Sequence, residues 1–142
     1  MKILVINGPN LNLLGIREPD VYGTDTLEDI ENWLDNQSEA SSHEINWIQS
    51  NHEGELIDQL HNSIGKFDGI IFNPGAYTHY SYALRDAVAS IPIPTIEIHL
   101  SDINQREGFR KISVIKDKCI GQICGLGKLG YLEALKALTN YI

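Results

Sequence analysis

Short apolar runs without a polar face recur along this chain, each followed by an amphipathic stretch, and that alternation leaves few folds open. KILVIN (2–7), FDGIIFN (67–73), PTIEIHL (94–100) and the run from Cys119 to Leu126 are mostly apolar at successive positions. Only EINWIQ (44–49) alternates. Successive strand side chains point to opposite faces, so strands apolar at both need cover on both. The cover is written between them. Leu27, Ile30, Trp33 and Leu34 repeat at helical spacing behind Thr26-Leu27-Glu28-Asp29, a capping box with Asp at its third position. Ser50-Asn51-His52-Glu53 reads as a better capping box, ahead of Leu56, Ile57, Leu60 and Ile64. The stretch 78–90 reads as a third helix with Ala83, Leu84, Ala87 and Val88 inward. Gly127 precedes a last helix with Leu129, Leu132, Leu135 and Leu138.

The order β-α-β-α-β-α-β-loop-β-α, joined by right-handed crossovers, predicts a three-layer α/β protein. Its core is a doubly wound, five-stranded parallel sheet of flavodoxin-like type, strand order 2-1-3-4-5. A chain of 142 residues, 42% hydrophobic, fits one domain over 1–142. The segment 101–118 is the least regular. No repeat, linker or low-complexity tract interrupts the pattern.

Charge and cysteine content narrow the function classes. A net charge of −8 with no basic block disfavours nucleic-acid binding, though a few local arginines can still hold a small anion. Cys119 and Cys124 read as buried reduced thiols in a strand. His43, His52 and His61 have no metal-ligand spacing, so no metal site is expected. The opening KILVI is too short for a secretory signal, and no apolar run reaches membrane-spanning length. A soluble cytoplasmic protein without membrane or nucleic-acid partners is the expectation.

In such a sheet, ligands bind beyond the carboxyl ends of the strands, where strand order reverses. Three strand ends there carry hydrogen-bonding groups: Asn7-Gly8-Pro9-Asn10, Asn73-Pro74-Gly75-Ala76, and Glu97-Ile98-His99-Leu100-Ser101. The opposite rim is plainer. A histidine ending an apolar strand is either a satisfied structural residue or a functional one. Glu97, two residues before His99, shares its strand face and can orient the ring or favour its charged form. His79 and Asp86, seven apart, share a face of the third helix as read, and either face the crevice or solvent. The stretch NLLGIREPDVYG (12–23) is long enough to cover the crevice. A phenol ordinarily titrates near pH 10, and a nearby guanidinium favours the phenolate. Arg17 and Tyr22 on this loop are therefore a candidate proton-abstracting unit, against the alternative of a tyrosine packed on the surface.

Six stretches carry a family resemblance: INGPNLNLLGIREPDVYG, QSNHEGELID, FNPGAYTH, ALRDA, EIHLSDINQREGFR and CGLGKLGYLEAL. In order and over nearly the whole chain, they resemble type II 3-dehydroquinate dehydratase. The resemblance implies a shikimate-pathway hydro-lyase that needs no cofactor, removes water from 3-dehydroquinate, and assembles as a homododecamer of trimers. It implies Tyr22 as the base and Arg17 as its activator. Asn10 stabilises the enolate through a water, and His99 is the acid, supported by Glu97. Substrate contacts fall on Asn73, Gly75, Ala76, His79, Asp86, Leu100, Ser101 and Arg110. Tyr80, Tyr82, Lys111 and Ile112 depart from the family's usual residues, with packing or subunit contacts as the expected consequence.

The residues support such chemistry. A β-hydroxy ketone needs a base at its α-carbon, charge stabilisation at its oxygen, and an acid at the leaving hydroxyl. All seven lysines lie away from the three strand ends, which disfavours an imine route. Two other proteins share the architecture. A flavin or nucleotide binder needs a phosphate-binding loop after strand one, where this chain has NGPNLNLLG. A response-regulator receiver needs an aspartate ending strand three, where this chain has Asn73.

Overall fold

The computed structural model describes residues 1–142. Five strands, β1 (Lys2–Asn7), β2 (Glu44–Gln49), β3 (Gly69–Asn73), β4 (Thr95–His99) and β5 (Gly121–Cys124), pair in parallel in the order β2-β1-β3-β4-β5. This is the expected doubly wound sheet. The helices are α1 (Pro19–Tyr22), α2 (Leu27–Asp35), α3 (Glu53–Asn62), α4 (Tyr82–Ser90) and α5 (Leu129–Tyr141).

Strand β1 explains the layering. Ile3 and Val5 join Ile71, Ile96 and Ile98 on one face, packed with Ile30 and Leu34 of α2 and with Tyr131, Leu135 and Leu138 of α5. Leu4 and Ile6 join Ile70 and Phe72 on the other, packed with Leu56 and Leu60 of α3 and with Leu84 and Val88 of α4. Each such Leu or Ile contributes about 1.5–3 kcal/mol by leaving water. A run apolar at every position thus feeds two cores at once.

The capping box at Thr26 forms: its hydroxyl accepts from Asp29 N at 3.0 Å, and Asp29 accepts from Thr26 N at 2.9 Å. The one at Ser50 does not. His52 is the N-cap of α3, and Ser50 Oγ instead accepts from His52 N at 3.0 Å and donates to Glu55. Ser50 stands too far upstream for a cap and makes a turn instead. The third helix also starts later than its pattern suggests. Gly75–His79 is a 3-10 turn, Tyr80 leaves the helical region at φ −153°, and Ser81 caps α4 by accepting from Leu84 N at 3.0 Å. His79 and Asp86 therefore do not share a helical face. Cys119 lies ahead of β5, and both thiols are free and half-buried. The irregular segment holds three 3-10 turns, Ile103–Gln105, Gly108–Lys111 and Lys116–Lys118.

Strand order reverses between β1 and β3, whose ends are level, Asn7 beside Asn73. Gly8 N donates to Asn73 O at 2.8 Å. A Cβ on Gly8 would stand 2.6 Å from the Pro74 carbonyl oxygen, so this approach needs glycine.

Candidate active site

A cleft opens at the carboxyl ends of β1, β3 and β4, lined by fourteen residues. Asn10, Arg17, Tyr22, Asn73, Gly75, Ala76, His79, His99, Leu100, Ser101 and Arg110, all singled out in the sequence, line it together. Glu97 lies behind His99, fully buried. Asp86 lines no part of it and is exposed on α4, because α4 begins only at Tyr82.

Each strand end presents its residues for a local reason. Asn10 is left-handed, φ 68°, a conformation asparagine tolerates, and its N–H donates to Asn51 Oδ1 at 3.0 Å. Gln49 braces the same turn through Gly8 O at 3.1 Å. At the end of β3, Gly75 has φ +59°, and its N–H donates to Asn73 Oδ1 at 3.2 Å. At the end of β4, the Leu100 and Ser101 N–H groups donate to no acceptor within the chain. They stand ready for an anion on the cleft wall. The start of α4 lies outside this wall, with Leu84 N taken by Ser81.

Arg106, which the sequence reading passed over, is the main addition. It is the first arginine of REGFR, and only its order in the motif could have drawn attention to it. Its Nη1 donates to the Tyr22 hydroxyl at 3.3 Å and to Ser101 Oγ at 3.2 Å. The bond to Tyr22 raises the already high Arg106 pKa. Arg17 takes a different position, over the ring face, its guanidinium carbon 4.5 Å from the centroid. Arg110 Nε donates to Glu107 at 2.7 Å, and Glu107 also lies 3.8 Å from Arg106. Leu11 and Ile103 complete the lining.

The His99 side of the cleft is wired from below. His99 Nε2 lies 2.6 Å from Glu97 Oε1. Burial alone would raise the Glu97 pKa, but bonds from His99, Thr78 and Ser113 outweigh it and hold the carboxyl below its ordinary range. His79 Nδ1 donates to Ile112 O at 2.7 Å, and burial lowers its pKa. Three arginines and no carboxylate line the cleft, an anion-attracting pocket in an acidic chain. No lysine lines it, and no cluster of three or more His, Cys, Asp or Glu could hold a metal.

The family model described as dehydroquinase class II matches residues 1–139. The chain belongs to the class II dehydroquinase family. A relative from Pelotomaculum thermopropionicum named 3-dehydroquinate dehydratase is 59% identical over 137 residues, covering 96% of this chain and 95% of its own. One of the same name from Bacillus licheniformis is 58% identical, covering 97% and 95%. The crystal structure of a type II dehydroquinase from Butyrivibrio crossotus superposes with a TM-score of 0.94 at 51% identity, covering 98% of this chain and 97% of that one. Class II dehydroquinase membership thus spans the sheet, the helices and the cleft alike.

Proposed function

We propose that this chain dehydrates 3-dehydroquinate to 3-dehydroshikimate, the shikimate-pathway step for which its relatives are named, without a cofactor and through an enolate. Tyr22, as phenolate, takes a proton from the carbon next to the ketone. Arg106 at its oxygen and Arg17 on its ring face stabilise that negative charge. Asn10 stabilises the enolate oxygen through a water. The His99 imidazolium gives its proton to the departing hydroxyl, the carbon–oxygen bond breaks, and water leaves. Glu97 holds the ring throughout. The phenol is left with one proton more and the imidazole with one less, and returning that proton resets the site.

The Leu100 and Ser101 N–H groups receive the substrate carboxylate. Asn73, Gly75, Ala76, His79 and Arg110 hold the rest of the ring. The observation that carries this reading is that Tyr22 and His99 open onto the same cleft. The assembly is a cytoplasmic homododecamer built from trimers.

The test is an ultraviolet assay for the conjugated enone product, run on 3-dehydroquinate with and without a chelator. Activity unaffected by the chelator supports the reading. Tyr22→Phe and His99→Ala should each lower kcat by about 10²–10⁴-fold while the thermal midpoint stays within a few degrees of wild type. Near-normal turnover in either variant would show the roles to be misassigned. Borohydride with substrate should leave the enzyme active, since no imine forms.

A further inference from the structure

Four donors meet the two oxygens of Glu97. They are His99 Nε2 at 2.6 Å, Gln122 Nε2 at 3.2 Å, the Thr78 hydroxyl, and the Ser113 hydroxyl at 2.9 and 2.8 Å from the two oxygens. A carboxylate offers about four lone-pair sites. All are filled, and none is left for a proton of its own. The direction of the Ser113 bond is decided elsewhere. Backbone N–H groups of Ile115, at 3.3 Å, and Lys116, at 3.1 Å, both donate to Ser113 Oγ. They occupy the acceptor sites of that hydroxyl, so its one proton points at Glu97. Thr78 Oγ1 lies 3.0 Å from Ser113 Oγ and, finding those sites taken, also sends its proton to Glu97.

We propose that Ser113 is a positioning residue, a hydroxyl poled by two backbone amides that holds Glu97 as an anion and so keeps the His99 imidazolium paired for proton delivery. Ser113 itself lines no part of the cleft. The proposal rests on the acid role given to His99 above. The other titratable groups that sense Glu97 are His79 from the Gly75–His79 turn, Cys119 ahead of β5 and Cys124 on it. Burial first, then the Glu97 charge, pushes the two thiols up to about 12 and about 11, so both are neutral in the working range.

The test is a carbon-13 NMR titration of the Glu97 carboxyl in substrate-free protein, assigned with Glu97→Gln. In Ser113→Ala the midpoint should rise by about one pH unit, the scale of one lost bond to a charged group. Ser113→Thr keeps the hydroxyl and should bring it back. Thr78→Val should raise it too, which serves if Ser113→Ala folds poorly. In turnover, the acid limb of kcat should move with the carboxyl while KM stays within about twofold. An unmoved midpoint in folded Ser113→Ala overturns the proposal. A moved midpoint with an unmoved kcat limb upholds the hydrogen-bonding role and overturns the assignment of His99 as the acid.

Discussion

Tyr22 is touched by two guanidinium groups in two ways, and the difference separates their roles. Arg106 reaches the phenol oxygen, while Arg17 lies over the ring. Loss of the group at the oxygen should cost most. Arg106→Ala should lower kcat by about 10²–10³-fold, the scale for removing a donor aimed at developing charge. Arg17→Ala should lower the rate more than it lowers the thermal midpoint, because this loop residue contributes little to either core. Arg17→Lys should not restore the rate, since an ammonium lacks the planar face that stacks. Steady-state kinetics beside thermal melts check all three. Glu97 gives a pH prediction. Its carboxyl titrates below the ordinary value of 4.5 in the folded chain, so its ionised form favours folding. That stability is fully present above about pH 4.5 and fades as pH falls through the folded value. Melts of wild type against Glu97→Gln should show an advantage at neutral pH that shrinks on acidification; a gap independent of pH would count against the ion pair.

At the scale of elements, α4 separates stability from chemistry. Ser81 caps it, yet neither Ser81 nor any α4 residue lines the cleft. Ser81→Ala should cost about 1 kcal/mol, lower the thermal midpoint by about 2–8 °C, and leave kcat within about twofold. A large fall in kcat would tie α4 to the site. The same helix shows where periodicity misleads. Residues 78–90 carry a helical apolar pattern, but Thr78 donates to Glu97 and His79 to Ile112 O. These long-range bonds hold the first residues in a 3-10 turn, and no spacing rule encodes them. At Ser50 a capping pattern was present and another partner, Glu55, took the hydroxyl.

Across the whole molecule, a chain of net charge −8 carries a cleft lined by three arginines. The global sign disfavours polyanions, and the local one suits a small carboxylate. Tyr80, Tyr82, Phe109 and Ile112 are each more than half exposed. All but Tyr82 belong to the turns beside the cleft or follow one directly. They are the apolar surface that subunit contacts would cover. For the dodecamer proposed above, light scattering should give twelve times the chain mass, and Tyr80→Ser with Ile112→Ser should lower it. A monomer that turns over normally would remove the dodecamer from the reading.

The sheet, its strand order and the rim that carries the site followed from sequence, because apolar periodicity and strand-end composition are local signals and parallel topology has few solutions. That Asn10, Asn73 and His99 line the cleft was legible from their strand ends, whereas Arg17 and Tyr22, on a loop, were singled out against a surface-packed alternative until the family resemblance favoured them. Arg106 at the Tyr22 oxygen, the place of Asp86 outside the cleft of its own chain, and the bonding of Glu97 by Thr78, Ser113 and Gln122 were decided only by the tertiary structure. Each of these depends on side chains far apart in the chain meeting in space, and residue order alone does not fix a hydrogen bond of that kind.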